Sequence, residues 1–232
     1  MWVVSVTVVA TLLCGLVAIG ASLLRVRGRI YYLMTRAWAR IILRASGTPV
    51  VTTGMERIDW SQPHVLVANH VSDYDILALA GALPVPYAFV AKKELERVPF
   101  FGTAWKAAGH ISIDRSDREK AVQSLHKAGA KMREEHSIVI IFPEGTRSRT
   151  GELQPFKKGA FVLATEANVP IVPVAIRGST FIRPPGTAHI HPCPIHLHFC
   201  EPIHPSAPSH QGVEALMDEV RRVLVGELAR PT

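Results

Sequence analysis

The stretch His64-Val-Leu-Val-Ala-Asn-His-Val-Ser-Asp-Tyr-Asp75 joins a short, uninterrupted apolar run to a polar turn. Val65 to Ala68 lacks the alternation of a half-buried strand, and such runs are typical of parallel strands that are covered on both faces. Ile138 to Phe142 has the same character and also ends in polar residues. We therefore predict two central strands of a buried sheet, each with a polar turn at its carboxyl end.

Around these two strands, short apolar runs alternate with longer amphipathic stretches, a pattern typical of α/β folds. Further strands are predicted at Tyr87 to Ala91, Ile171 to Ile176 and Ile195 to Phe199, and helices at Asp73 to Leu83, Arg118 to Glu135, Gly159 to Asn168 and Val213 to Leu228. We expect a mixed, mostly parallel sheet covered by helices. One boundary near Gly47 is predicted to separate an amino-terminal helical pair (residues 1–46) from a globular domain (residues 47–232).

The amino terminus carries no charged side chain from Met1 to Leu24. As a helix, this run reaches about 36 Å at ~1.5 Å per residue. That length exceeds the hydrocarbon core of a bilayer, which is about 30 Å thick. A cleaved signal peptide with a cleavage site at Ala18 to Ala21 is the alternative, but no Lys or Arg precedes the apolar run. We predict a membrane helix that either crosses the bilayer or enters it and returns.

Arginines follow the apolar run directly, at Arg25, Arg27 and Arg29. By the positive-inside rule they place the rest of the chain on the cytoplasmic side of the membrane. Three further arginines recur at every fourth position from Arg36 to Arg44, so they share one face of a second predicted helix. Such a helix suits the plane of an anionic membrane interface. The alternative is an ordinary amphipathic helix that packs on the domain.

His70 and Asp75 follow the first central strand. Positions five apart diverge by about 140° within a regular helix, so the two side chains meet only if His70 precedes the first helical residue. At such a junction the aspartate accepts a hydrogen bond from one imidazole nitrogen and leaves the other as a general base. A structural alternative is that Ser72 and Asp75 form a capping box. A hydrolase triad that uses Ser72 is disfavoured because no GxSxG turn is present.

Two further polar clusters follow strand-like runs. Gly109-His-Ile-Ser-Ile-Asp-Arg115 ends in an arginine that either binds phosphate oxygens or forms a local ion pair with a neighbouring aspartate. Phe142-Pro-Glu-Gly-Thr-Arg-Ser148 offers a glycine for close backbone approach and side chains that bind hydroxyls and anions. Lys157-Lys158 opens the next helix and adds affinity for anions. Arg177, at the exit of the following strand, is interpreted as structural.

The formal net charge of +7 favours a polyanionic partner, a class that includes nucleic acid, anionic membranes and phosphorylated substrates. Nucleic-acid binding is not expected, because much of the basic excess follows the apolar segment and no recognition motif is present. Three cysteines without a CxxC pair favour a reducing compartment for the globular part. Histidines gather near the carboxyl end, with His196 and His198 on one strand face. We prefer an exposed polar face there over a zinc site.

The polar clusters and the strand that ends at Gly178, taken in this order, resemble the glycerophospholipid acyltransferase family, in particular its bacterial 1-acylglycerol-3-phosphate acyltransferases. Asn69, His70 and Asp75 match the family's NHxxxxD pattern. Phe142 to Ser148 matches the FPEGTRS pattern without a mismatch. The resemblance extends over about Val65 to Gly178, and the ordered set of motifs is more specific than any one of them.

The resemblance implies an O-acyltransferase of phospholipid biosynthesis that moves a fatty acyl group from acyl-CoA or acyl carrier protein to the free hydroxyl of lysophosphatidate. His70 would be the base and Asp75 would orient it. The residues implied to hold the glycerol phosphate are Arg115, Glu144, Gly145, Thr146, Arg147 and, more weakly, Lys93. Asp73 adds an acid beside the pair and leaves the acceptor preference open. Since a thioester has a good leaving group, no metal or cofactor is required.

Two other functions are compatible with the residues. In one, the same chemistry acts on another lysolipid or on glycerol 3-phosphate, and a panel of acceptors distinguishes it. In the other, the chain is a non-catalytic membrane-binding module that uses its basic helix to recruit a partner. An assay for acyl transfer separates that module from an enzyme.

Overall fold

The computed structural model describes residues 2–24, 26, 28–98, 101–114, 118–183, 189–206 and 209–230, except for the side chains of residues 22, 23, 118–122 and 131. The strands are β1 (Val50–Thr53), β2 (His64–Ala68), β3 (Tyr87–Lys92), β4 (Ile111–Ile113), β5 (Ile138–Ile141), β6 (Ile171–Arg177) and β7 (Ile195–Phe199). The helices are α1 (Trp2–Leu23), α2 (Arg29–Ala45), α3 (Asp73–Ala82), α4 (Phe101–Ala107), α5 (Arg118–Glu135), α6 (Gly159–Ala167), α7 (Ser179–Ile182) and α8 (His210–Leu228). Single 3-10 turns lie at Met55–Arg57 and Lys93–Arg97.

The strands form one seven-stranded sheet in the order β1-β7-β6-β2-β5-β3-β4. Neighbouring strands are parallel except for β6 and β7, which are antiparallel. The predicted mixed, mostly parallel sheet is therefore confirmed. Because β6, β2, β5, β3 and β4 all run in one direction, their carboxyl ends lie along one edge of the sheet, where α/β folds place their sites.

Helices cover both faces of the sheet, which explains why β2 and β5 are apolar without alternation. Leu66 and Ile140 point into a core shared with α2 and α3. Val65, Val67 and Val139 point into a second core shared with α5, α6 and α8. Successive side chains of a strand face opposite sides, so every residue of β2 and β5 is buried.

The sequence patterns did not predict β1 and α4. β1 has four residues, three of them exposed, and it lies at the edge of the sheet, so it carries little apolar signal. α4 has seven residues, fewer than the window over which a helical period becomes visible. The helix predicted to begin at Val213 begins earlier, at His210, because the Ser209 hydroxyl caps its amino terminus by accepting from Gly212 N–H at 3.0 Å.

α1 is the one helix among the described residues that is long and apolar enough to cross a membrane, over Trp2–Ala21. Its large side chains are exposed, with Trp2 at 71% and Leu16 at 66% of full exposure. The small residues Ala10, Ala18 and Ala21 are its buried positions. An exposed apolar surface of this extent is typical of a site that contacts a membrane or another protein.

α2 packs on the domain as well as on α1. Arg40 Nε and Arg36 Nε donate to the carbonyl of Gly81, near the end of α3, at 2.9 Å and 3.5 Å. These contacts support the alternative prediction, a helix that packs on the domain. Two of the arginines form hydrogen bonds within the protein. Among the arginines that follow the apolar run, Arg25 and Arg27 lie outside the described residues.

Candidate active site

The turn between β2 and α3 brings His70 and Asp75 together. His70 Nδ1 lies 2.9 Å from Asp75 Oδ2, and α3 begins at Asp73, so the histidine precedes the helix as the spacing requires. The Asp75 side chain is fully buried, whereas that of His70 keeps 12% of its exposure. Because Nδ1 donates to the carboxylate, Nε2 keeps its lone pair in the neutral tautomer.

The same carboxylate oxygen closes the amino terminus of α3. Val71 N–H and Ser72 N–H donate to Asp75 Oδ2 at 2.7 Å and 2.8 Å. The Ser72 hydroxyl accepts from Tyr74 N–H at 3.3 Å, and the capping box is complete. The two interpretations of Asp75 therefore hold together: the cap immobilises the carboxylate that His70 contacts.

The turn after β5 packs against the turn after β2. The Phe142 ring stacks on the His70 imidazole, with ring centroids 4.0 Å apart and planes 17° from parallel. His70 N–H donates to Glu144 Oε1 at 2.7 Å, and Ser148 N–H donates to the His70 carbonyl at 2.8 Å. The FPEGTRS segment thus holds both the ring and the backbone of the histidine.

Glu144 is nearly inaccessible, at 3% exposure. Its second carboxylate oxygen accepts from Gln154 N–H at 2.8 Å, so each oxygen binds one backbone N–H group. Burial raises the pKa of this carboxyl, although both hydrogen bonds oppose that rise. A buried carboxylate would also repel a phosphate. These contacts favour a positioning role for Glu144 over the direct contact with glycerol phosphate that the sequence predicted.

Asn69 joins β2 to its other neighbour. The Asn69 amide donates to the Ile176 carbonyl at 2.9 Å and accepts from Ile176 N–H at 2.7 Å. This paired hydrogen bond extends the ladder between β2 and β6 by one side chain. It holds the start of the His70 turn in register with the end of β6.

Gly145 has a φ of 73°, in the left-handed region that favours glycine. A Cβ at this position would lie 2.9 Å from the Lys157 ammonium nitrogen, so the lysine side chain passes close over the glycine backbone. Thr146 and Arg147, the next two residues, are exposed. Two cationic side chains, Arg147 in this turn and Lys157 beside it, therefore lie at the edge of the sheet that also carries His70.

Asp73 does not contact His70. Its carboxylate binds two guanidinium groups, with Arg147 Nη1 2.5 Å from Oδ1 and Arg183 Nη2 2.6 Å from Oδ2. Arg183 follows α7 and was missed in the sequence, where no periodicity or motif marks it. Its only sequence signal is a basic residue a few positions beyond the carboxyl end of a buried strand.

The model of the Acyltransferase family matches residues 49–177, which include β1 to β6 and both turns of the site. The chain belongs to the Acyltransferase family. A 1-acyl-sn-glycerol-3-phosphate acyltransferase of Limnanthes douglasii is 36% identical over 163 residues, which are 70% of this chain and 57% of that protein. The Saccharomyces cerevisiae protein of the same name is 36% identical over 180 residues, 76% of this chain and 57% of its own length.

A solved structure shares the fold. The crystal structure of the 1-acyl-sn-glycerophosphate acyltransferase from Thermotoga maritima superposes with a TM-score of 0.68 and 27% sequence identity, over 86% of this chain and 81% of that one. The chain spans 57% of the length of these two curated relatives. The family and the fold are thereby established.

One of the phosphate ligands that the resemblance implied lies after β3. Lys93 follows β3, and its ammonium is 3.7 Å from the carboxylate of Asp114, which follows β4. Arg115 lies outside the described residues. Since β3 and β4 end at the same edge of the sheet as β2 and β5, Lys93 belongs to the row of polar residues along that edge.

Arg177 has structural contacts. Its Nη1 donates to the carbonyls of Glu227 and Arg230 at 2.9 Å and 3.0 Å, which binds the carboxyl end of α8 to β6. His198 contacts the Thr53 hydroxyl at 2.8 Å on the neighbouring part of the sheet. Within the described part of the chain, no group of three or more His, Cys, Asp or Glu is placed to hold a metal ion.

His110, from the Gly109 to Arg115 cluster, directly precedes β4 and packs beside Phe89 of β3. Its Nδ1 accepts from Phe89 N–H at 3.1 Å, and its ring packs 4.3 Å from that of Trp105. Burial lowers the pKa of His110 to about 4. The histidine is therefore a neutral part of an aromatic cluster and not part of the His70 site.

Proposed function

We propose that this chain transfers a fatty acyl group from an acyl thioester to the free hydroxyl of lysophosphatidate, which gives phosphatidate. The observation that carries the proposal is the His70 to Asp75 contact at 2.9 Å. It lies on an edge lined with cationic side chains. The relatives named above support the choice of acceptor.

The reaction needs one base in the right tautomer. Asp75 holds Nδ1 as a donor, so Nε2 accepts the proton of the acceptor hydroxyl as its oxygen attacks the thioester carbonyl. A carbon–oxygen bond forms, the carbon–sulfur bond breaks, and the imidazolium returns its proton to the departing thiolate. The buried Asp75 carboxylate stabilises the imidazolium between these two steps.

The phosphate of lysophosphatidate is assigned to the cationic row. Arg147 and Lys157 flank the turn after β5, and Lys93 follows the next strand. Arginine binds phosphate with two parallel hydrogen bonds, and lysine adds a compact charge. Arg115 is proposed for the same row from its position after β4. Gly145 is proposed to let the phosphate approach the backbone closely, and Thr146 is proposed to contribute its hydroxyl.

The donor is proposed to be acyl-CoA or acyl carrier protein. Both present the same thioester, and the chemistry at His70 is identical for the two. The protein is proposed to act at a membrane with residues 47–232 on the cytoplasmic side. The exposed apolar surface of α1 supports the attachment, and the arginines after it support the orientation.

The test is transfer of labelled acyl chains by the purified full chain in detergent, with both donors and a panel of acceptors. The panel includes lysophosphatidate, other lysolipids and glycerol 3-phosphate. We expect lysophosphatidate to be preferred and His70→Ala to lose at least about 10³-fold in kcat. His126→Ala is the matched control, because this exposed imidazole pairs with Glu166 between α5 and α6.

Absence of transfer to any acceptor would support the membrane-binding module instead. Preference for a non-phosphate acceptor would contradict the assignment of lysophosphatidate but not the chemistry. Full activity in His70→Ala would show that His70 is not the general base.

A further inference from the structure

The carboxylate of Asp73 forms ion pairs with two arginines that follow different strands. Asp73 begins α3 after β2, Arg147 follows β5, and Arg183 follows β6. Each side chain is about half exposed: 50% for Asp73, 50% for Arg147 and 47% for Arg183. The three residues therefore form an accessible cluster, the Asp73 cluster, at the carboxyl edge of the sheet.

The cluster holds two positive charges against one negative charge. An ion pair at such exposure contributes little to stability, so its partners can be exchanged. A phosphate monoester carries up to two negative charges and more acceptor oxygens than a carboxylate. Two guanidinium forks are therefore better matched by a phosphate than by Asp73.

The position of the cluster indicates which phosphate it binds. Asp73 is three residues from His70, and Arg147 is in the segment whose Glu144 and Ser148 hold the His70 backbone. A cavity of about 510 Å³ opens beside Asp73 and Arg183. The rest of its lining is mainly apolar and comes from α1, α2 and α3, with residues such as Val4, Val8, Ile76 and Leu77. A cationic mouth on an apolar groove suits an anionic lipid with a single chain.

We propose that Arg183, together with Arg147, binds the phosphate of lysophosphatidate, and that Asp73 holds both guanidinium groups in place until the phosphate displaces it. This inference rests on the proposed function and names a ligand of the same site. Arg183 is a binding residue, and Asp73 is a positioning residue that acts through the two arginines. Removal of the Asp73 charge frees the arginines and strengthens binding of phosphate.

The experiment compares two acceptors with the same acyl chain, lysophosphatidate and monoacylglycerol, which lacks the phosphate. Arg183→Ala should raise KM for lysophosphatidate about 10-fold, the loss expected for one charge-assisted contact, and change kcat less than about 2-fold. Transfer to monoacylglycerol should stay as in the unmodified protein. Arg183→Lys should lie between the two, because it keeps the charge and loses the fork.

Arg222→Ala is the matched control. It removes the same charge from an exposed arginine of α8, which packs on the opposite face of the sheet. This variant should leave both acceptors unchanged. Asp73→Asn should lower KM for lysophosphatidate and strengthen inhibition by inorganic phosphate.

Acylation of lysophosphatidate by the unmodified protein tests the proposed function first. With that activity present, an unchanged ratio of the two acceptors in Arg183→Ala would overturn the inference alone. An equal loss for both acceptors, with no recovery in Arg183→Lys, would also overturn it by indicating a structural role. A higher KM in Asp73→Asn would contradict the displacement of Asp73.

Discussion

Asp75 Oδ2 lies 2.9 Å from His70 Nδ1 and also accepts two backbone N–H groups of the turn that carries His70. One oxygen atom therefore both caps α3 and sets the histidine tautomer. The cap fixes the position of the carboxylate before any substrate binds. Under the proposed function, catalysis and local folding are therefore coupled through a single buried side chain.

Asp75→Asn is expected to lower kcat by about 10²- to 10⁴-fold, because a neutral amide neither stabilises the imidazolium nor selects the Nδ1–H tautomer. It also weakens the cap, at a cost of about 1 kcal/mol in unfolding free energy. Ser72→Ala is the control, since it loses the hydrogen bond to Tyr74 N–H without touching His70. Equal losses of kcat in both variants would indicate that Asp75 acts only as a helix cap.

Glu144→Gln replaces an acceptor oxygen by a donor NH2 group that faces a backbone N–H. We expect a loss of about 1–3 kcal/mol in unfolding free energy and a lower kcat, with KM for the acceptor little changed. Urea denaturation and steady-state kinetics measure the two effects. Glu152→Gln is the matched control at an exposed site. A rise in KM with unchanged kcat would instead indicate direct contact with the substrate.

Gly145→Ala places a methyl group in left-handed backbone and 2.9 Å from the Lys157 ammonium. Gly151→Ala is a matched control, because its φ is 84° but nothing lies within 4 Å of its Cβ. Both variants should lose about 1 kcal/mol in thermal denaturation through backbone strain. Gly145→Ala alone should also raise KM for lysophosphatidate, since Lys157 must move.

His110 predicts a pH dependence of stability. Its folded-state pKa of about 4 lies below the usual 6.5, so the unfolded chain takes up a proton first as the pH falls. The contribution is complete above pH ~6.5 and is lost toward pH ~4, with about 2 kcal/mol lost between pH 7 and 5. His110→Gln should remove that part of the slope in denaturation at the two pH values. His126→Gln, at an exposed position, should keep it.

The sequence predicted the central part of the fold well, for a physical reason. β2 and β5 are buried on both faces, so their residues are apolar without interruption and their identity as inner strands is visible locally. β1 and α4 were not predicted because both are short. β1 is also largely exposed, and α4 is too short to show a helical period. The same local logic placed His70 on a turn, because a five-residue spacing to Asp75 is incompatible with a shared helix.

The roles of the charged residues could not be read in this way. Glu144 and Arg147 are neighbours in a motif, yet Glu144 is buried against backbone N–H groups while Arg147 is exposed on Asp73. Which of two adjacent polar side chains faces the core depends on the packing of the turn after β5 against the turn after β2. Nothing in the local pattern encodes that contact.

The sequence by itself determined the inner strands, the polar turns at their carboxyl ends and the apolar amino-terminal helix, because each is a property of consecutive residues. Only the tertiary structure decided that Asp75 serves His70 and the helix cap at once, and that Arg183 meets Arg147 on Asp73. Arg183 lies 110 residues from Asp73 in the chain. The two are brought together by the pairing of β2 with β6, and a contact of that range has no signature in local sequence.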